Sequence, residues 1–150
     1  MKKTIRNIKI MVIHGPNLNL LGKREPELYG TLTLREINKQ ITDFARSKSV
    51  KVKTFQSNHE GKIIDCIQRA EKKYTGIVIN PGALTHYSYT IRDAVAAVSI
   101  PVVEAHLSDI HHREDFRRIS VISPVCVDQI SGLGVESYMR GIERILKKIK

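Results

Sequence analysis

Hydrophobic residues along the chain follow two different patterns. Short apolar, β-branched runs alternate with segments in which apolar residues recur every three or four positions, the period of an amphipathic helix. The runs predict strands at 8–13, 50–55, 76–79, 101–104 and 121–127, the last of them short or irregular because Pro124 interrupts it. The helical pattern predicts helices from a capping box at Thr33–Glu36, over 60–73, near 89–98 and over 134–150.

This alternation of strands and helices predicts an α/β fold. Repeated β-α units form parallel sheets that helices cover on both faces, joined by right-handed crossovers. A chain of 150 residues has the length of one domain. We therefore predict a single domain over 1–150 with a flavodoxin-like, doubly wound, five-stranded parallel sheet.

The composition of the chain indicates the cellular compartment that we expect for the protein. No run approaches the roughly 20 apolar residues that span a bilayer, so we expect no membrane association. The N-terminus faintly resembles a signal peptide, but Arg6, Asn7 and Lys9 interrupt its apolar part and no small-residue cleavage site follows. We expect a cytoplasmic location. Cys66 and Cys126 are far apart and in no CxxC pattern, which favours two reduced, largely buried thiols.

The net charge of +10 raises the question of nucleic-acid binding. Much of the excess lies at the two ends of the chain: Lys2, Lys3, Arg6, Lys9, Arg144, Lys147, Lys148 and Lys150. The chain has no Trp, so it shows no aromatic platform for stacking bases. A solvated basic surface is the favoured interpretation, with no nucleic-acid partner, and it is compatible with a pocket for a small anion.

The segments that follow the predicted strands are where chemistry is expected. In open α/β sheets, ligands bind beyond the carboxyl ends of the strands. HGPNLNLLG after the first strand contains glycines but matches neither GxGxxG nor GxxxxGK[ST], so no nucleotide cofactor is indicated. The polar loop 23–30 is either a solvated connection or a lid. QSNHEG after the second strand predicts a turn, with Ser57 or Asn58 as helix cap and His59 on the surface.

The third and fourth strands end in polar residues suited to binding and proton transfer. Asn80-Pro81-Gly82 followed by His86 is either a tight turn or a rim of hydrogen-bonding groups around a ligand. Glu104 and His106 are two apart in a strand, so they face the same side. A carboxylate beside an imidazole favours the charged ring and fixes its orientation, which serves proton transfer.

The charged segment 111–118 (HHREDFRR) has no metal-ligand spacing, because adjacent histidines point to different sides. It predicts solvated charge, with one arginine reaching an anion as the alternative. The residues alone therefore indicate a small anionic ligand and acid–base chemistry at His106. They indicate no metal, no cofactor and no covalent nucleophile.

Taken together, the strand-end segments resemble the type II 3-dehydroquinate dehydratases. The resemblance covers nearly the whole chain and rests on several motifs in order: HGPNLNLLGKREPELYG, QSNHEG, INPGALTH, RDA, VEAHLS, HHREDFR and SP…GLG. It implies a cofactor-free anti elimination of water from 3-dehydroquinate to 3-dehydroshikimate. That reaction belongs to the shikimate pathway, which leads to chorismate and the aromatic amino acids. It also implies a homododecamer, a tetramer of trimers.

The resemblance assigns catalytic roles by motif position. It implies that Tyr29 is the base that removes the C2 proton, and that Arg24 favours its phenolate. An ordinary tyrosine has a pKa of about 10, so a phenolate needs nearby positive charge. His106 resembles the acid that protonates the leaving hydroxyl. Asn17 and Glu104 resemble residues that orient a water and the imidazole.

Substrate binding by resemblance falls on six residues. They are Asn80, His86, Asp93, Leu107, Ser108 and Arg117. Leu107 and Ser108 would use backbone amides on the carboxylate, and Asp93 would reach a neighbouring subunit's site. The chain departs from the usual pattern at Tyr87, Tyr89, Asp109 and Asp128. These departures affect local packing and binding geometry rather than proton transfer.

Two other functional classes remain as alternatives to the enzyme. A non-catalytic α/β module for binding small acids would share the anion rim and would not need Tyr29 or His106 as proton carriers. A nucleic-acid-binding protein would account for the net charge, but basic and aromatic residues do not interleave along the chain.

Overall fold

The computed structural model describes residues 7–150, which form five strands and five α-helices connected by loops and short 3₁₀ turns. The strands are β1 Lys9–His14, β2 Lys51–Gln56, β3 Gly76–Asn80, β4 Val102–His106 and β5 Asp128–Ser131. The helices are α1 Pro26–Tyr29, α2 Leu34–Ser47, α3 Glu60–Lys73, α4 Tyr89–Ala97 and α5 Glu136–Lys148. The basic residues Lys2, Lys3 and Arg6 lie outside the described residues.

All five strands run parallel, in the order β2-β1-β3-β4-β5. Connections from β1 leave towards β2 on one side, while the later strands are added on the other. The direction in which strands are added to the sheet therefore changes between β1 and β3. The loops that follow these two strands diverge and leave a crevice. His14 and Asn80 are register partners at this point. The flavodoxin-like prediction is confirmed.

The sheet separates two hydrophobic layers, because successive strand residues point to opposite faces. On one face, Ile10 and Val12 of β1 pack with buried residues of α2 and α5. On the other, Met11 and Ile13 pack with α3 and α4. The central strands β3 and β4 are buried along their whole length, as expected for strands covered on both sides.

Local sequence signals account for most helix boundaries. The predicted capping box is present at α2, where Thr33 accepts from the Glu36 N–H and Glu36 reaches back to Thr33. The range predicted for α3 agrees with the structure. Its capping prediction is wrong, because the N-cap is His59, although Ser57 Oγ does accept the His59 N–H at 3.0 Å.

The prediction of a strand at 121–127 is also wrong. Ser123–Val125 form a 3₁₀ turn, and the fifth strand is Asp128–Ser131. Proline fixes φ and lacks an N–H, so Pro124 suits a turn better than a sheet ladder. The true strand lies at the sheet edge and is only half-buried, so it lacks the apolar run that marks the other strands.

The predictions for β4 and for the two cysteines agree with the structure apart from small differences. The strand β4 continues past Glu104 to His106, so both side chains belong to one strand. Cys66 is buried and Cys126 half-buried, and both are free thiols. Burial raises the pKa of the Cys126 thiol to about 12. Across residues 7–150, no helix combines the length and apolar character that crossing a bilayer requires.

Candidate active site

A cavity of about 460 Å³, counting the space open at its mouth, lies beyond the carboxyl ends of β1, β3 and β4. Predicted site residues that line it are Asn17, Arg24, Tyr29, Asn80, His86, His106, Leu107, Ser108 and Arg117. These nine positions, which come from distant parts of the sequence, therefore lie around one cavity.

The backbone segments that follow β1 and β3 approach each other closely and form the floor of the cavity. The Gly15 N–H donates to the Asn80 carbonyl at 2.7 Å, and a Cβ on Gly15 would lie 2.3 Å from the Pro81 oxygen. Gly82 adopts φ +61°, and its N–H donates to Asn80 Oδ1 at 3.1 Å. The turn therefore holds the Asn80 amide at the cavity edge.

His106 and Glu104 project together from β4. His106 Nε2 lies 2.5 Å from Glu104 Oε2, and both side chains are almost completely buried. Because Nε2 donates to the carboxylate, Nδ1 is the ring nitrogen left for a ligand. This atom can deliver a proton only from the imidazolium, in which both ring nitrogens carry hydrogen.

The Glu104 carboxylate is held ionised by a ring of donors. Besides His106, it accepts from Thr85 Oγ1 at 2.5 Å, Ser120 Oγ at 2.8 Å and Gln129 Nε2 at 3.1 Å. Burial opposes ionisation, but these hydrogen bonds outweigh it and keep the pKa of Glu104 below its ordinary value. A negative charge therefore stands behind the imidazole.

His86 presents a defined ring nitrogen to the same cavity. Its Nδ1 donates to the Ile119 carbonyl at 2.7 Å, which leaves Nε2 to accept a hydrogen bond from a ligand hydroxyl. Burial lowers the pKa of His86, which favours the neutral acceptor form. The edge of the Phe116 ring packs against this imidazole, with ring centroids 6.4 Å apart.

Two guanidinium groups surround Tyr29 on the loop after β1. Arg113 Nη1 donates to the Tyr29 hydroxyl at 2.6 Å. The Arg24 and Arg113 Cζ atoms lie 5.3 and 5.5 Å from the ring centroid. The nearest carboxylate to Arg113, Glu25, is 3.9 Å away. Positive charge therefore dominates around the hydroxyl and would stabilise a phenolate.

Three predicted site residues differ from the others in their position relative to the cavity or in their contacts. Glu104 lies behind His106, outside the cavity lining. Asp93 is exposed on α4, away from the residues that line the cavity. Arg117 lines the cavity while its Nε donates to Glu114 at 2.6 Å. Of the predicted residues, therefore, all line the cavity except Glu104, which contacts it through His106, and Asp93.

A buried hydrogen-bond network lies beneath Asn80. Asn80 Nδ2 donates to the Tyr138 hydroxyl at 3.0 Å, and this hydroxyl lies 2.9 Å from His14 Nδ1. His14 Nε2 lies 2.7 Å from Asn38 Oδ1. We call Asn80, Tyr138, His14 and Asn38 the Asn80 network. It joins the ends of β1 and β3 to α5 and α2.

Comparison with known proteins identifies the family. The model of the family described as dehydroquinase class II matches residues 8–146. The chain belongs to the class II dehydroquinase family. The resemblance drawn from the strand-end motifs is thereby confirmed.

Similar dehydroquinases share sequence and structure over nearly the whole length of the chain. A 3-dehydroquinate dehydratase of Halothermothrix orenii is 58% identical over 142 residues, covering 95% of this chain and 96% of that protein. One of Thermotoga maritima is 52% identical over 143 residues, covering 95% and 98%. The crystal structure of a type II dehydroquinase from Butyrivibrio crossotus gives a TM-score of 0.92 at 50% identity, covering 93% and 98%.

The four departures from the usual dehydroquinase pattern are not among the residues that line the cavity. Tyr87 and Tyr89 are among the most exposed hydrophobic side chains. Asp109 caps a 3₁₀ turn by accepting the His111 N–H at 3.0 Å. Asp128 begins β5 and lies 3.5 Å from Arg144. Each is thus accommodated as a surface or capping residue.

Arg113 lines the cavity of this dehydroquinase but is not among the predicted site residues. The segment 111–118 was interpreted mainly as solvated charge, with one arginine reaching an anion. Two of its arginines, Arg113 and Arg117, line the cavity, while His111 and His112 are exposed. No spacing rule separates a solvated arginine from one that folds back onto Tyr29. The Asn80 network was also missed, because it joins residues up to 124 positions apart.

We predict that His14 makes this dehydroquinase sensitive to acid. Burial lowers the pKa of His14 from 6.5 to about 4. Between these values the unfolded chain binds a proton that the folded chain does not, so stability falls as the pH drops through this window. The full effect is about 3 kcal/mol. In His14→Gln, the loss of unfolding free energy between pH 7.5 and 4.5 should be about 2 kcal/mol smaller than in wild type.

Urea unfolding at the two pH values, at one protein concentration, measures this difference. His111→Gln, which replaces an exposed histidine, should keep the wild-type pH dependence. An equal acid sensitivity in His14→Gln and wild type would contradict the assignment of a neutral, buried His14.

Proposed function

We propose that this chain is a hydro-lyase that removes water from 3-dehydroquinate to give 3-dehydroshikimate, a step of the shikimate pathway towards aromatic amino acids. The observation that carries the proposal is one cavity lined both by a tyrosine among guanidinium groups and by an imidazole backed by a buried carboxylate. Such a pair supplies a base and an acid to one molecule. The non-catalytic binding module does not account for this pairing.

The base in the proposed reaction is the Tyr29 phenolate. It removes the C2 proton of 3-dehydroquinate, leaving an enolate whose negative charge develops on the carbonyl oxygen. Arg113 and Arg24 favour the phenolate electrostatically, and the geometry around the hydroxyl supports this role. Asn17 orients a water towards the enolate oxygen, because fixed donors are most effective where charge develops.

The acid in the proposed reaction is the His106 imidazolium. Its Nδ1 proton passes to the leaving hydroxyl as the carbon–oxygen bond breaks, so water departs and the double bond forms. Glu104 holds the ring through Nε2 and stabilises its charged form. The neutral imidazole then regains a proton, and the Tyr29 hydroxyl loses one, before the next turnover.

Binding groups fix the ring of the substrate between these two residues. Asn80 and His86 hold hydroxyls, and the His86 Nε2 acceptor suits this role. The Leu107 and Ser108 backbone amides and the Arg117 side chain bind the carboxylate. The same contacts form before and during the reaction, so we assign them mainly to affinity.

The proposal also includes the oligomeric state and the cellular location of the protein. We propose a homododecamer of four trimers in the cytoplasm, in which Asp93 of one subunit reaches the site of its neighbour. The exposed position of Asp93 on α4, together with exposed Tyr87 and Tyr89 at its start, is compatible with such a contact.

The proposed function is tested by direct turnover. Purified protein mixed with 3-dehydroquinate should produce an enone that absorbs in the ultraviolet, at an unchanged rate after treatment with a metal chelator and without added nucleotide. Borohydride added with substrate should leave activity intact, because no lysine Schiff base takes part. Saturable binding of 3-dehydroquinate without any enone would reject the dehydratase and support the binding module.

We predict that the charge of Arg113 is needed for turnover. Arg113→Met removes the hydrogen bond to Tyr29 and half of its nearby positive charge, so kcat should fall roughly a hundredfold. Arg113→Lys keeps the charge and should retain more activity. The control is Arg140→Met on α5, an arginine outside the cavity lining whose guanidinium pairs with Glu136 and Glu143. Equal kcat values for the Lys and Met variants would contradict an electrostatic role.

We predict that Asp93 acts across a subunit boundary. Asp93→Ala should reduce turnover although its own chain's cavity is intact. Subunits of Asp93→Ala and Tyr29→Phe, unfolded together and refolded as mixed assemblies, should recover activity. Some sites would then combine an intact Tyr29 with an intact Asp93 from the neighbour. Separately refolded variants, mixed afterwards, are the control. Absence of recovery in the mixed assemblies would place Asp93 outside the neighbour's site.

A further inference from the structure

The Asn80 network has only one consistent set of hydrogen-bond directions. The Gly82 N–H can only donate, so the Asn80 oxygen must face it and the Asn80 Nδ2 must face Tyr138. The Tyr138 hydroxyl accepts that bond and turns its own hydrogen to His14 Nδ1. His14 therefore carries its proton on Nε2, which donates to Asn38 Oδ1. The Gly82 N–H at one end and the Tyr138 and His14 contacts beyond it thus fix these directions together.

Three of the four members of the network are buried, and the fourth, Asn38, is half-buried. His14 and Tyr138 are fully buried and Asn80 is 3% exposed. Among the described residues, every buried side-chain nitrogen and oxygen has a partner. Burial raises the pKa of the Tyr138 hydroxyl and lowers that of His14, so both groups stay neutral around pH 7. Removing one member leaves its neighbours buried without a partner, which is costly.

We propose that Tyr138 and His14 are positioning residues for the reaction, which fix the rotation of the Asn80 amide and so decide which of its atoms meet the substrate. The inference rests on the proposed function only in taking Asn80 as a substrate-binding residue. With Gly82 on the oxygen and Tyr138 on the nitrogen, one Nδ2 hydrogen and one Oδ1 lone pair remain for the ligand. Without the Tyr138 contact the amide would be held at its oxygen alone, so it would be less ordered in the free protein and would lose more conformational freedom on binding.

The expected kinetic result is a change in KM with little change in kcat. Asn80 contacts the substrate both before and during proton transfer, so loosening it weakens uniform binding. Tyr138→Phe should raise KM about tenfold while kcat stays within about threefold of wild type. His14→Leu should raise KM as well. His14→Gln should restore it, because an amide can again accept from Tyr138 and donate to Asn38.

A control separates positioning from stability. Ile145→Val shortens a fully buried side chain of α5 that belongs to the same hydrophobic layer and carries no polar group. It should lower the melting temperature and leave KM unchanged. If Tyr138→Phe also lowered only the melting temperature, with KM and kcat as in wild type, the positioning role would be rejected. Should Tyr138→Phe fail to fold, the comparison of His14→Leu with His14→Gln decides the question.

Two measurements remain decisive even if the chain shows no dehydratase activity. Solid-state ¹⁵N spectra of histidine-labelled protein, assigned by the signal lost in His14→Gln, should show the Nε2–H tautomer for His14. An Nδ1–H tautomer would overturn the proposed directions. Calorimetry with 3-dehydroquinate should give about tenfold weaker binding in Tyr29→Phe/Tyr138→Phe than in Tyr29→Phe. Equal affinities, or no binding by Tyr29→Phe, would overturn the role of the network in ligand binding.

Discussion

Replacing Tyr29 by phenylalanine should lower kcat by roughly 10³-fold or more while KM changes little. The substitution deletes one oxygen and keeps the ring that Arg24 and Arg113 approach. A general base typically contributes ~10²–10⁴ to a rate, and no other group among the described lining residues combines a removable proton with two adjacent guanidinium groups. The loss should therefore appear in the proton-abstraction step.

A deuterium label at C2 of the substrate gives the sharper measurement. If proton abstraction becomes slower relative to the other steps, the isotope effect on kcat should grow in Tyr29→Phe. Tyr74→Phe, which removes a hydroxyl just before β3 at the opposite end of the sheet, should keep wild-type turnover. Wild-type kcat in folded Tyr29→Phe would remove the base from the proposed reaction and assign it elsewhere in the cavity.

The contrast between Glu104 and Arg113 shows what sequence could and could not predict at the site. The spacing of Glu104 and His106 was informative because a strand fixes the relative direction of residues two apart. That geometry follows from local backbone alone. Arg113 reaches Tyr29 across 84 residues and through a 3₁₀-rich loop, and no local rule gives that contact. The motif resemblance pointed to Tyr29 as the proposed base but did not assign Arg113 as its hydrogen-bond donor.

Local environment also explains which strands could be predicted from the sequence. Strands β1, β3 and β4 are covered by helices on both faces, so their sequences are continuous apolar runs that are easily recognised. The edge strand β5 has one neighbour and partial cover, which lets it carry Asp128 and Gln129. An edge strand of this composition resembles a loop in sequence. The apolar residues before it were mistaken for the strand because they are buried too: Ile122 belongs to the hydrophobic layer that contains residues of α3 and α4.

The second large effect is expected at His106. His106→Ala should lower kcat by roughly 10²–10⁴-fold, because the leaving hydroxyl would depart without a proton donor. The buried Glu104 would then lose one of its four side-chain donors, so the unfolding free energy should also decrease. His111→Ala, an exposed histidine on the neighbouring loop, should change neither quantity. Turnover rates and urea unfolding of the two variants measure the effects separately.

Chemical rescue and the charge of Glu104 test whether His106 acts as an acid. Added imidazole can enter the space left in His106→Ala and should restore part of its kcat, whereas it should not rescue Tyr29→Phe. Glu104→Gln keeps an oxygen that can accept from His106 Nε2 but removes the charge that favours the imidazolium. Its kcat should fall about a hundredfold, with the ring still in place. If His106→Ala kept wild-type turnover, the leaving hydroxyl would have to take its proton from another group or from water.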